Sequence, residues 1–340
     1  MANLSTTYMG IKLKSPVIVG ANNMVTNPDN LIRMEKAGAG ALVYKSVFEE
    51  QIQLESLELS ERKEEYNERN AEMIKLFPDA GADASEIREH LAALKEAKKT
   101  VNIPVFASIN AVNQATWVDY AKKIEKTGID GLELNMYTPP EKAGEMTSGI
   151  EKDQAEVVKA VKSAVKIPVS VKISPYYTNP LRFISDLDKA GADAFVLFNR
   201  LFQPDIDIDT ETHYYPYTLS NREDHRLPLR FAGLLYGNTE GSVCASSGII
   251  TGPDVIKMIL AGADAVQVVS TIYLNQIEII SSILKDIEKW MKEKGYKDLG
   301  SFRGKLSQKS IDTKQPYERV QYMDFMMTTS EIMKKYKAIN

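Results

Sequence analysis

Short β-branched runs recur along the chain, and the segments between them place apolar residues three and four apart. Eight runs read as strands: Val17 to Gly20, Ala41 to Lys45, Val105 to Ile109, Gly131 to Asn135, Val169 to Ile173, Ala194 to Phe198, Ser242 to Ala245 and Ala265 to Val268. Helical periodicity fills Trp117 to Lys126, Ala155 to Val165, Leu181 to Lys189 and Pro253 to Leu260, with Asp153, Asn179 and Thr251 near the expected N-caps. One phrase marks the junctions. Lys36-Ala37-Gly38-Ala39, Lys126-Thr127-Gly128-Ile129, Lys189-Ala190-Gly191-Ala192 and Leu260-Ala261-Gly262-Ala263 each put glycine where a helix ends and an apolar run begins.

A repeated strand, helix and glycine turn predicts an α/β protein, and eight strands predict a closed (β/α)8 TIM barrel with long loops at its C-terminal face. Pro104 and Pro168 open their strands, where a missing N–H costs nothing. No linker divides the chain, so residues 1–310 are expected to form one barrel domain and residues 311–340 a C-terminal tail. Two excursions, 47–99 and 199–241, exceed ordinary βα loops and suit lids, substrate walls or dimer contacts. Ile277 to Lys294 reads as a final amphipathic helix, and the chain after Arg303 as polar and loosely specified.

Composition narrows the function. With 44% apolar and 26% charged residues, the chain has material for a large core. A net charge of −4 offers no basic face for a nucleic-acid backbone. No signal peptide and no membrane-length apolar run are visible, so a cytoplasmic protein with no membrane partner is expected. The lone Cys244 reads as a small buried hydrophobe, and His90, His213 and His225 as surface or loop residues without metal-ligand spacing, so no metal is expected.

The active site of such a barrel lies at the strands' C-terminal ends. The polar residues there are Lys45, Ser46, Ser108, Asn110, Asn135, Lys172, Ser174, Asn199, Ser246, Ser247, Gly248, Ser270 and Thr271, with no carboxylate among them. Lysines donate to anionic oxygens, amides match imide edges, and small residues let a phosphate approach backbone N–H groups. The segments after strands seven and eight occupy the usual phosphate position, which implies a phosphate-bearing cofactor.

These residues resemble the dihydroorotate dehydrogenase family of flavin-dependent barrels over nearly the whole chain. The matching pieces are Ser15-Pro16-Val17-Ile18-Val19-Gly20-Ala21, Tyr44-Lys45-Ser46, Glu133-Leu134-Asn135, Val171-Lys172-Ile173-Ser174-Pro175-Tyr176, Ser247-Gly248-Ile249 and Phe302-Arg303-Gly304-Lys305-Leu306. The resemblance implies FMN across the barrel mouth, its phosphate against Gly248, Ile249, Ser270 and Thr271, and its ring near Lys45, Asn110, Asn135 and Lys172, with Ala21, Ser46 and Ser247 among the contacts. Lys172 would stabilise charge at the ring's N1/O2 edge during hydride transfer to N5. Lys45, Asn135, Asn199 and Arg200 would hold the substrate.

In the family's Asn-Leu-Ser-Cys-Pro-Asn motif the cysteine or a serine is the base, and here the run is Asn135-Met136-Tyr137-Thr138-Pro139-Pro140. The resemblance thus assigns Thr138 the base position, beside a Tyr137 better suited as an acid. It implies a soluble homodimer that oxidises dihydroorotate to orotate in pyrimidine biosynthesis. The departures leave open another cyclic imide or unsaturated acid as substrate, or a non-catalytic FMN-binding protein; a Schiff-base aldolase using Lys172 is a further reading of the residues alone.

Overall fold

The computed structural model describes residues 2–50, 85–136, 147–200, 203–216 and 218–327. Among them, eight parallel strands close a barrel: β1 (Val17–Val19), β2 (Ala41–Val43), β3 (Val105–Asn110), β4 (Gly131–Asn135), β5 (Val169–Ile173), β6 (Ala194–Leu197), β7 (Ser242–Ser246) and β8 (Ala265–Val268). Their order is β2-β1-β8-β7-β6-β5-β4-β3, and pairing of Leu42 with Val105 and Val43 with Phe106 closes the ring. This is the expected (β/α)8 architecture. Each strand lies within a residue or two of its predicted run, because a fully buried strand leaves an unbroken apolar signature.

The helices that cover the barrel are α1 (Pro28–Ala37), α2 (Ser85–Thr100), α3 (Gln114–Glu125), α4 (Thr147–Ala164), α5 (Pro180–Lys189), α6 (Arg226–Leu235), α7 (Gly252–Ala261), the short α8 (Ser270–Asn275) and α9 (Ile279–Lys294). The four repeated glycines all take positive φ, from 83° at Gly128 to 133° at Gly262. Asn179 caps α5 through Arg182 N, and Thr251 closes a capping box with Asp254. Asp153 caps nothing, since α4 already begins at Thr147.

Side chains alternate along each strand. Leu132, Leu134, Val169, Val171 and Ile173 face the helices, whereas Phe106, Ile18, Val43, Val196 and Cys244 fill the barrel's lower interior. A hairpin of Thr6–Tyr8 and Ile11–Leu13 plugs that end with Tyr8, Met9 and Leu13. Cys244 is fully buried, as expected of a small hydrophobe.

Residues 304–327 are more ordered than their polar sequence suggests. Gly304 N donates to Ile259 O at 2.9 Å, Leu306 N to Leu260 O at 2.8 Å and Gln308 N to Gly233 O at 3.0 Å, and α10 (Val320–Met327) follows. Backbone bonds rather than an apolar stripe hold this segment. Arg303 bonds Asp264 Oδ1 and Thr6 Oγ1, each at 2.7 Å, while Asn3 N donates to Lys297 O at 2.8 Å. Both arms of the chain thus meet under the barrel.

The surface reading of the histidines fails at two positions. His225 is buried, its Nδ1 against Arg222 O. His90 on α2 packs edge-on to Tyr44 at 5.7 Å, and burial, with the Lys45 charge adding, pushes its imidazole down to about 4. An aromatic ring's apolar body packs well even where its polarity predicts exposure. His213 is exposed, on a hairpin of Asp205–Asp207 and Thr212–Tyr214.

Candidate active site at the barrel mouth

The upper interior of the barrel is polar. Lys172 on β5, Glu133 and Asn135 on β4, Ser108 and Asn110 on β3, and Gln267 on β8 occupy the positions that alternate with helix-facing apolar residues. Lys172 Nζ donates to Gln267 Oε1 at 3.3 Å. Gln267 Nε2 donates to Glu133 Oε2 at 2.5 Å. The strand-end reading contained no carboxylate, so Glu133 and Gln267 were missed. Their signal was the period of two shared with Asn135 and Lys172.

Above this layer a cavity of about 180 Å³ is lined by Ala21, Lys172, Ser247, Gly248, Ser270 and Thr271, among others. Ile249, Asn199 and Arg200 border it as well. The structure therefore gathers Ala21, Lys172, Ser247, Gly248, Ile249, Ser270 and Thr271 from the expected cofactor set. Asn135 reaches this group through Asn199, whose Nδ2 donates to Asn135 Oδ1 at 2.6 Å. Lys45, Ser46 and Asn110 do not line the cavity. Ser46 instead hydrogen-bonds Ser108 at 2.6 Å. Tyr137, Thr138 and Pro140 lie outside the described residues, as do residues 51–84 of the first excursion.

The turn after β7 is built for close backbone approach. Ser247 and Gly248 take φ of +82° and +68°, and a Cβ on Gly248 would lie 2.8 Å from Asn221 O. Consecutive left-handed residues turn N–H groups to one side, a geometry that suits an anion. Thr271 Oγ1 donates to Ile249 O and Ser270 Oγ accepts from Ser220 N at 3.0 Å, tying the segments after β7 and β8 together. This donor set of small residues and backbone, with a cation opposite, fits a flavin phosphate at one end and a flavin ring at the other.

Charge surrounds the mouth. Arg200 is held by Thr218, its Nη1 donating to the carbonyl at 2.9 Å. Asp254, fully buried, accepts from Thr251 Oγ1 at 2.8 Å and from Thr251 N at 3.0 Å, with Arg222 Nε at 3.4 Å. Burial alone raises a carboxyl, yet these hydrogen bonds and the Arg222 guanidinium hold Asp254 below the usual carboxylate range. A second cavity of about 1200 Å³ shares Phe198, Asn199, Arg200, Ser246 and Ser247 with the first. It runs out between α6 and the C-terminal segment, past Arg222, Arg226, Arg230 and Lys257.

Among the described residues, no helix is long and apolar enough to cross a membrane, and no group of three or more His, Cys, Asp or Glu could hold a metal ion.

The family model for dihydroorotate dehydrogenase matches residues 3–291. The chain is 28% identical over 300 residues to the catalytic subunit of dihydroorotate dehydrogenase B (NAD(+)) from Methanocaldococcus jannaschii, covering 85% of this chain and 94% of that protein. It is 30% identical over 313 residues to the same-named subunit from Methanosarcina mazei, covering 88% and 94%. To dihydroorotate dehydrogenase A (fumarate) from Lactobacillus helveticus it is 27% identical over 210 residues, covering 60% and 68%. The match spans the barrel strands and the turns that carry the polar mouth, so the chain belongs to the dihydroorotate dehydrogenase family, dehydrogenases acting on CH–CH groups.

Proposed function

We propose that this protein is an FMN-dependent oxidoreductase that removes a hydride and a proton from adjacent carbons of a small cyclic anion, with dihydroorotate as the nominal substrate and orotate as its product. The observation that carries this reading is the placement of Lys172 across one cavity from Ser247, Gly248, Ser270 and Thr271. Bound there, FMN supplies the hydride acceptor. Gly248, Ile249, Ser270 and Thr271 would hold its phosphate, and Lys172 would face its ring.

The chain's own residues do the rest. The Lys172 ammonium would stabilise negative charge at the edge of such a ring, as a fixed field rather than by proton transfer. Asn199 and Asn135 bond to each other and keep one amide donor and one amide acceptor for an imide edge. Arg200, with its guanidinium clamped on Thr218, offers charge to a carboxylate. Thr138 takes the position of the base and Tyr137 that of an acid, as the resemblance of the run Asn135-Met136-Tyr137-Thr138 to the family motif suggests.

A specific observation supports a second reading with the same chemistry. The mouth opens into the groove past Arg222, Arg226, Arg230 and Lys257, which gives room to an acid larger than dihydroorotate. We further propose one barrel domain over residues 1–310, a cytoplasmic location and a homodimer; light scattering on the purified protein tests the last.

The deciding experiment is an absorbance spectrum of the purified protein, the identification of any chromophore released on denaturation, and anaerobic addition of dihydroorotate. Yellow protein that releases FMN and bleaches with dihydroorotate supports the first reading. Bleaching by chemical reductants but not by dihydroorotate removes that substrate, and colourless protein that refuses added FMN sinks both readings.

A further inference from the structure

Beneath the mouth lies a buried acid that the proposed chemistry does not use. Strands β4 and β8 stand opposite each other in the barrel, so Glu133 and Gln267 meet across its interior. They are 1% and 2% exposed. The chain of contacts runs from Glu133 Oε2 to Gln267 Nε2 at 2.5 Å and from Gln267 Oε1 to Lys172 Nζ at 3.3 Å. An ammonium only donates and a carboxylate only accepts, so the central amide has one orientation that satisfies both. Gly20, at the end of β1, leaves room for it, since a Cβ there would lie 3.1 Å from Gln267 Oε1.

Glu133 Oε1 has no hydrogen-bond partner among the described residues. A buried carboxylate is costly unless a cation compensates it. The other titratable groups facing this space are Tyr8 from the plug and Cys244 from β7, with Asp264 beyond them. Burial first, and then the charge of Glu133 for Cys244, pushes the Cys244 thiol well up; burial, Cys244 and Glu133 do the same to the Tyr8 phenol. Both stay neutral and neither offsets the carboxylate. The cation linked to it, through the Gln267 amide, is Lys172.

We propose that Glu133 and Gln267 are positioning residues that hold the Lys172 amine aimed at the barrel mouth, acting through the amide rather than touching substrate or cofactor. The relevance to catalysis rests on the reading of Lys172 as a cofactor contact, but the hold on Lys172 is a property of the barrel alone. Removing the amide frees the amine, and removing the carboxylate frees the amide that holds it.

The test uses flavin-free protein pulsed with acetic anhydride at pH 8, with acetylation of Lys172 and Lys45 quantified by mass spectrometry and alkylation of Cys244 by iodoacetamide read alongside. In Gln267→Met and in Glu133→Leu the Lys172 to Lys45 ratio is expected to rise at least about threefold, because the amine loses its fixed partner, with Cys244 still unreactive. Glu133→Gln, whose carbonyl can still accept from the Gln267 amide, should stay near the parent protein. A ratio unchanged in both Gln267→Met and Glu133→Leu overturns the proposal. So does a Cys244 that becomes reactive, which would report loosened packing. Parallel FMN titration of the parent protein separates the two ideas, since failure to bind FMN removes the cofactor reading and leaves the acetylation result standing.

Discussion

Asn199 Nδ2 donates to Asn135 Oδ1 at 2.6 Å, joining the end of β6 to the end of β4 across β5. With that bond made, Asn135 retains a free amide donor and Asn199 a free carbonyl acceptor. An imide edge presents the complementary pair.

If the pair reads the substrate, Asn199→Ala and Asn135→Ala should each raise KM for the accepted substrate by about tenfold or more, the cost of leaving a substrate polar group unpaired. The double variant should lose less than the product of the two, because each single change already strands its partner. Steady-state kinetics on all three variants measures this.

Gly248 is the position where the turn after β7 leaves no room for a side chain. Gly248→Ala should raise the dissociation constant for FMN at least about tenfold and lower stability by about 1–3 kcal/mol, since the new Cβ presses on the backbone of residues 221–225 at a positive φ. Flavin fluorescence titration and thermal melting read the two effects separately.

The imidazole of His90 is pushed down to about 4 chiefly by burial, with Lys45 adding. Its folded value lies below that of the unfolded chain, so the unfolded state binds the proton first. Stability is complete above about pH 6.5 and is lost as pH falls from there towards 4, by an amount on the order of 2–3 kcal/mol. Urea denaturation at stepped pH should show this fall in the parent protein and a shallower one in His90→Phe.

Asp254 behaves in the opposite sense of cause but the same direction of pH. Its carboxyl is held low by Thr251, backbone N–H groups and Arg222 against the penalty of burial, so it contributes stability above its unfolded range and loses it as pH drops through the folded value. Asp254→Asn should cost about 1–3 kcal/mol at pH 7 through the lost charge-assisted cap of α7. The difference from the parent should shrink in acid, where the native carboxyl is protonated too.

Strands, glycine turns and the cavity wall were legible because each depends on a local rule: β-branched runs for β1 and β5, a helix stop at Gly38 or Gly191, and small residues after β7. Asp153 misled because the first turns of α4 are polar and carry no periodicity, while Val158 and Val161, which do, lie further along. Glu133 and Gln267 were not legible singly. Their meaning depends on two strands more than a hundred residues apart in sequence facing each other inside a closed ring, and no local window contains that fact. The order of residues 304–308 escaped for a similar reason, since their bonds go to the backbone of Ile259, Leu260 and Gly233.

The clasp beneath the barrel also sets a timetable. Thr6 waits for Arg303, 297 residues further along, and Asn3 waits for Lys297. The plug can rest against its neighbours earlier, but it is not bolted until Arg303 has left the ribosome. The floor of the barrel is therefore late to close, and a product stalled before Arg303 would come undone there.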